Sequence, residues 1–242
     1  MSDRDPDAST PADGPEADDG PEADDDPDHV ESPPSDEPSY PDPDARLVLE
    51  PGCARCPALV ADRTCISWGN GPTDADVLVV GEAPGAGTPD ADRWRGGNHT
   101  GLAYTSRHSG RRVRRLFARL GYADRVFYTN AVNCFPSDGA GSNREPTADE
   151  RANCRPHLAT EIETVDPAVV VATGKHATAS LLAFDGRTVD GFLESVLEPV
   201  RIEALGVDVL PILHPSYQEV WLARLDYDEP AYRAAIADRL PE

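Results

Sequence analysis

Four cysteines reach the chain's chemistry from separate places: the pair Cys53-Ala-Arg-Cys56, Cys134 after an apolar run, and Cys154 in a helix-like stretch. Four thiolates suit either a tetrahedral zinc ion or a 4Fe–4S cluster, and spacing alone does not choose between them. Cys65 is left over, as a small core residue, an exposed thiol or a replacement for one of the four. An odd number of cysteines argues against a disulfide framework. Three further groups sit where apolar runs end. Glu82 lies in the turn Gly81-Glu82-Ala83-Pro84-Gly85, Asn130 closes Val126–Asn130, and His214 opens His214-Pro215-Ser216. A carboxylate in such a turn can position water or stabilise a cation; it can equally bond loop amides. An Asn amide offers an acceptor and a donor to a planar ligand. A histidine beside a rigid proline can aim a hydrogen bond at developing negative charge.

These groups need a scaffold. Val77–Gly81 reads as a fully buried strand, stopped by Gly81 and turned by Pro84-Gly85. Val126–Asn130, Val169–Gly174 and Val209–His214 repeat the pattern of an apolar run followed by polar residues. Between them the spacing predicts helices. One runs from about Gly110 to Leu120, with Val113, Leu116, Phe117 and Leu120 on one face and arginines on the others. A second follows Thr147, with Glu150 completing a capping box, and reaches about Val165. A third begins at Gly174-Lys175, and the last occupies about Pro230–Leu240. Residues 184–206 read as a strand-rich excursion, and 86–110 as a long loop of the kind that is usually functional or disordered. Strands alternating with helices predict an α/β fold: a three-layer α/β/α sandwich on a central, mainly parallel, four-stranded sheet. Ligands in such sheets bind beyond the carboxyl ends of the strands.

Charge divides the chain. Residues 1–45 hold 17 of the 44 acidic residues and one of the 22 basic ones, a net −16 that leaves −6 for the remainder. That segment is rich in Pro, Asp, Ser and Gly. It reads as a disordered acidic tail, because it cannot bury enough surface to offset its chain entropy. Mimicry of nucleic acid or recruitment of a basic partner is the alternative. Residues 46–242 are long enough for one well-cored domain. No apolar run reaches a membrane span and no secretory signal opens the chain, so the expectation is a soluble, cytoplasmic monomer. Lys175 is the sole lysine. Abundant carboxylates with so little lysine suit molar salt, where the Debye length is about 3 Å, and predict a halophilic source; a low-salt protein that merely carries an acidic tail is the alternative.

Taken in order, the motifs resemble the iron–sulfur uracil-DNA glycosylases, the family 4 and family 5 branches of that superfamily. They are Cys53-x-x-Cys56, Gly81-Glu82-Ala83-Pro84-Gly85, Thr129-Asn130-Ala131-Val132-Asn133-Cys134-Phe135-Pro136, Asn143-Arg144-Glu145-Pro146, Cys154-x-Pro156-x-Leu158 and His214-Pro215-Ser216. None is specific alone; the ordered set is. Gly81–Gly85 and His214–Ser216 look like family 4, whereas Gly96-Gly97-Asn98-His99-Thr100-Gly101 with Tyr104 and Ser109-Gly110 looks more like family 5. Ala86, Gly87 and Thr88 stand where family 4 usually carries further acidic residues. Tyr104 stands where the family stacks a Phe on uracil.

The resemblance implies a 4Fe–4S cluster on Cys53, Cys56, Cys134 and Cys154, with zinc as the alternative. It also implies removal of uracil from DNA by base flipping and hydrolysis of the N-glycosidic bond. His214 would hydrogen-bond uracil O2 as a neutral imidazole. Asn130 would read O4 and N3–H, Tyr104 would stack on the base, and Gly81 with Ala83, Pro84 and Gly85 would line the pocket. To hold DNA despite the negative net charge, Ser106, Ser109 and Ser216 could donate to phosphates, Gln218 could contact the strand, and Arg107, Arg111, Arg112, Arg114 and Arg115 could pair with phosphates; for Arg114 and Arg115 a solvated helix face pairing with acidic neighbours is an equal reading, and by family analogy Tyr217 or Gln218 would wedge into the duplex.

Several rivals stand beside this reading. A covalent uracil-DNA binder would carry a basic, His-containing insert after the Thr-Asn strand, and 137–144 contains no His. A zinc DNA-binding module would not need Asn130 and His214. A dinucleotide-binding fold would want Gly-x-Gly-x-x-Gly after the first strand. A glycosylase preferring deaminated purines is the remaining alternative.

Overall fold

The computed structural model describes residues 38–215 and 218–241. Ser216, Tyr217 and most of the predicted acidic tail lie outside the described residues. Five strands form one sheet: β1 Val77–Gly81, β2 Val126–Asn130, β3 Val169–Thr173, β4 Val200–Ile202 and β5 Val207–Ile212. Their order is β2-β1-β3-β5-β4. The first four in that order are parallel neighbours, with Val79 opposite Tyr128 and Val171, and Val171 opposite Leu210. The helices are α1 Pro57–Asp62, α2 Gly97–Thr100, α3 Ser109–Arg119, α4 Ala148–Val165, α5 Lys175–Leu182, α6 Phe192–Ser195, α7 Gln218–Leu222 and α8 Glu229–Ala237.

The expected four-strand count is corrected to five. β5 begins two residues earlier than its apolar run suggests, at Val207, and Gly206 (φ +64°) turns the chain so that β4 pairs with it antiparallel. β4 is three residues long and mixed in polarity, too short to show a period of two. The rest of 184–206 is not strand-rich: it holds a 3-10 turn and the four-residue α6.

Alternation along the strands builds the layers. Val77 and Val79 point into a core shared with Val113 and Phe117 of α3 and with Tyr232 and Ile236 of α8. Leu78 and Val80 point the other way, against Leu158 and Ile162 of α4 and Ala177 and Leu181 of α5. All residues of β1, β2 and β3 are buried, because helices cover both faces. The α4 capping box forms as expected: Glu150 N–H donates to Thr147 Oγ1, and Thr147 N–H donates to the Glu150 carboxylate. Arg144 grips the same carboxylate with two bonds of 2.7 and 2.6 Å, which fixes the loop leading into α4. At the described end of the acidic segment, the Tyr40 ring packs edge-on against Trp94, 5.2 Å between centroids.

Candidate active site

Parallel strands bring their carboxyl ends to one edge of the sheet. β1 ends at Gly81, β2 at Asn130, β3 at Thr173, and β5 runs through Leu213 into His214. All of these border a cavity of about 890 Å³, which also takes in Glu82 to Thr88, Tyr104 to Gly110 and Asn143. That volume lies within the usual range for small-molecule sites.

The floor depends on a missing side chain. A Cβ on Gly81 would fall 2.5 Å from Asn130 Oδ1 and 2.8 Å from the Tyr104 hydroxyl, so only glycine lets both approach. Asn130 is buried, and among the described residues its amide has no hydrogen-bond partner. The Tyr104 hydroxyl donates to Thr173 Oγ1 (2.6 Å), which donates onward to the Val80 carbonyl (3.2 Å). Its ring is half-buried and lines the cavity, and burial pushes the phenol pKa up. Tyr104 sits at φ +55°, a costly conformation for an aromatic residue. Arg114 holds it there. Its Nε donates to the Tyr104 carbonyl (3.0 Å), its Nη2 to Asn70 Oδ1 (2.5 Å), and its guanidinium lies 4.0 Å from the Tyr128 ring centroid. Arg114 is 8% exposed. The expectation that it contacts phosphates is therefore corrected: one face of a helical arginine row is turned into the core by α3's period.

Glu82 is half-buried, and its Oε1 is shielded from solvent without a hydrogen-bond partner. Burial raises its pKa, Glu145 adds to the rise, and His176 and Arg151 oppose it. The loop after Glu82 is pinned at Ala86, whose N–H donates to Asn143 Oδ1 (3.0 Å) and whose carbonyl accepts from His99 Nε2 (2.9 Å). His214 is held through its neighbour: Leu213 N–H donates to the Tyr232 hydroxyl of α8 (2.7 Å). Burial, and then His176, push the His214 pKa down, which favours the neutral ring. His176, at the start of α5, also lines the cavity and lies 3.0 Å from Glu145. No motif in the sequence signals this pair, because its members are 31 positions apart. Thr173 was legible in principle, since it ends a third parallel strand level with Asn130.

The four cysteines gather away from this cavity. Cys134 and Cys154 are buried with Leu59 and Val132, and Cys56 packs against them. Arg63 donates to Cys134 Sγ (3.1 Å) and to the Cys53 carbonyl (2.6 Å), and Asn153 Nδ2 donates to Cys56 Sγ (3.4 Å). Burial pushes the Cys154 thiol up to about 12 and raises Cys134 as well. Thiolates so disfavoured alone are stabilised by a bound cation. Glu50, Cys53 and His157 bring donor atoms within 4.8 Å of one another, a second set able to take a metal ion. Cys65 is half-buried.

Of the residues expected to hold a polyanion, Ser106, Arg107 and Ser109 border the cavity. Ser106 Oγ accepts from Gly110 N–H (2.8 Å) and lies 2.9 Å from Ser109 Oγ. Arg111 is half-buried in the first turn of α3, and Gln218 lines a separate groove. Ser216 falls outside the described residues.

Comparison with known proteins shows what the chain is similar to. The family model of the uracil DNA glycosylase superfamily matches residues 68–240. A type-5 uracil-DNA glycosylase of Pyrobaculum aerophilum is 33% identical over 230 residues, covering 82% of this chain and 93% of the relative. A type-4 uracil-DNA glycosylase of Thermotoga maritima is 33% identical over 170 residues, covering 68% and 77%. A type-4 enzyme of Saccharolobus solfataricus is 30% identical over 152 residues, covering 61% and 64%.

Proposed function

The chain belongs to the uracil-DNA glycosylase superfamily, and from that premise we propose that its cavity takes a uracil flipped out of DNA and hydrolyses the bond to deoxyribose. The observation that carries this reading is the convergence of Glu82, Asn130 and His214, from three separate strand ends, on one cavity. Asn130, without an internal partner, donates from Nδ2 to uracil O4 and accepts N3–H at Oδ1. Tyr104 offers its ring face to the base, a stacking contact worth about 1–3 kcal/mol. The backbone of Gly81 and of Ala83 to Gly85 closes the pocket beneath and beside it.

The N1–C1′ bond breaks with its electron pair going to uracil. Negative charge then grows on O2, where neutral His214 donates a hydrogen bond. The sugar becomes cationic, and Glu82 Oε1, shielded and unpartnered, orients the water that adds to C1′ and accepts its proton. The products are free uracil and an abasic site, the starting point of base-excision repair. A cytoplasmic monomer acting on chromosomal DNA suits this chemistry; no described helix is long and apolar enough to cross a membrane.

Cys53, Cys56, Cys134 and Cys154 are the residues that would hold a 4Fe–4S cluster. When bound, it supplies a cross-link between the loop before β1, the end of β2 and α4, and takes no part in bond cleavage. Residues 46–242 carry this domain, with 1–45 as an acidic extension.

Base release from an oligonucleotide with one uracil, in molar KCl, tests the reading. Wild type should give free uracil and an alkali-labile site; Asn130→Ala and His214→Ala should each lose at least about 100-fold, as for loss of a transition-state donor. No release by folded wild type from single- or double-stranded DNA would overturn it for uracil.

A further inference from the structure

Cys56 is the N-cap of α1 and Arg63 its C-cap. Arg63 is half-buried, and its guanidinium turns back to the cysteines. Nη1 donates to Cys134 Sγ (3.1 Å) and Nη2 to the Cys53 carbonyl (2.6 Å). One side chain thus joins the loop before α1 to the turn after β2. Acidic residues outnumber basic ones 44 to 22 in this chain, yet among the described residues Arg63 makes no ion pair with a carboxylate. Its charge faces a sulfur instead. Asn153 of α4 also bonds a sulfur, Cys56 Sγ, through Nδ2, but at 3.4 Å and without a charge.

Electrostatics gives this arrangement a purpose. A 4Fe–4S core held by four thiolates carries a net negative charge. Cys53, Cys134 and Cys154 are buried, so little water is there to solvate that charge. Net charge and hydrogen bonds to the sulfurs are among the factors that set a cluster's reduction potential. Groups that bond the ligands also hold them in place for the metal. A charged donor is roughly twice as strong as a neutral one. We propose that Arg63 is a positioning residue for the cluster: it holds the Cys134 sulfur against the Cys53 loop and supplies the bound group's counter-charge. The proposal rests on Cys53, Cys56, Cys134 and Cys154 holding a 4Fe–4S cluster, and it assigns Arg63 no part in bond cleavage.

The test compares full-length, cluster-loaded wild type with Arg63→Gln, Arg63→Lys and Asn153→Ala at one KCl concentration. Iron and sulfide analysis identifies the bound group, voltammetry gives its reduction potential, and iron release to a chelator gives its retention. A guanidinium at the sulfur stabilises the extra electron of the reduced cluster. Arg63→Gln should therefore shift the potential to more negative values and weaken retention about 10–100-fold, as for loss of a ligand's hydrogen-bond partner. Arg63→Lys keeps the charge and should recover most of both. Asn153→Ala should shift the potential less than Arg63→Gln does. Wild-type potential and retention in Arg63→Gln, or an Arg63→Lys that behaves like Arg63→Gln, would overturn the role of Arg63 and leave the cluster reading standing. Zinc in the wild type, without iron or sulfide, would overturn the cluster reading and this proposal with it.

Discussion

Glu82 and His214 are displaced in opposite directions by the same cause. Burial raises the carboxyl's pKa and lowers the imidazole's. The proposed water activation needs Glu82 ionised, and the proposed bond to the departing uracil needs His214 neutral. Both requirements fail on the acid side. The acid limb of kcat/KM should therefore lie above the ordinary carboxylate range, whichever of the two groups sets it. His176 is the lever that acts on both: in its protonated form it lowers the Glu82 pKa and lowers that of His214. Facing these groups are also Glu145, Arg151 and Lys175. Replacing His176 with Asn removes the positive charge, so both pKa values rise and the acid limb should move to higher pH. A pH profile of kcat/KM that superimposes on wild type would show that His176 does not set these charges.

At the scale of elements, Glu161 of α4 joins three segments under the site. Its Oε1 accepts from Gly69 N–H (3.1 Å) and its Oε2 from the Thr129 hydroxyl (2.5 Å), one residue before Asn130. It is fully buried, and burial pushes its pKa up to about 8. The folded state thus keeps a proton that the unfolded state releases in the ordinary carboxylate range. Stability from this group is intact below that range, declines as pH rises toward about 8, and levels off above it. The decline is at most about 1.4 kcal/mol per pH unit. Urea unfolding across this range should show the decline in wild type and a flatter profile in Glu161→Gln; an equal slope in both would assign the dependence to other groups.

Over the whole molecule, net charge decides how the fold meets its solvent. A formal charge of −22 with one lysine repels itself at low salt. In molar KCl the Debye length contracts to about 3 Å and that repulsion is screened. The Tm, followed by circular dichroism, should therefore climb from dilute buffer to molar KCl, as a halophilic protein's would. A flat or falling Tm would leave the acidic composition as a property of the N-terminal segment alone.

The sequence alone determined the strands that bear the site and the residues at their ends. Val77–Gly81, Val126–Asn130 and Val169–Thr173 are apolar runs closed by polar or glycine residues, and a parallel sheet buried on both faces demands that pattern. The α4 capping box was likewise legible, because Thr147 and Glu150 are three residues apart and local spacing suffices. What the chain could not reveal depends on contacts between distant segments. β4 is too short to carry a period and exists only through pairing with β5. Arg114 reads like its exposed neighbours until α3's rotation places it under Tyr104. His176 meets Glu145, and Glu161 meets Thr129, only once α5 and α4 have packed. Arg63 reaches Cys134, 71 positions further on, only because Leu59 of α1 packs with Val132 beyond the end of β2.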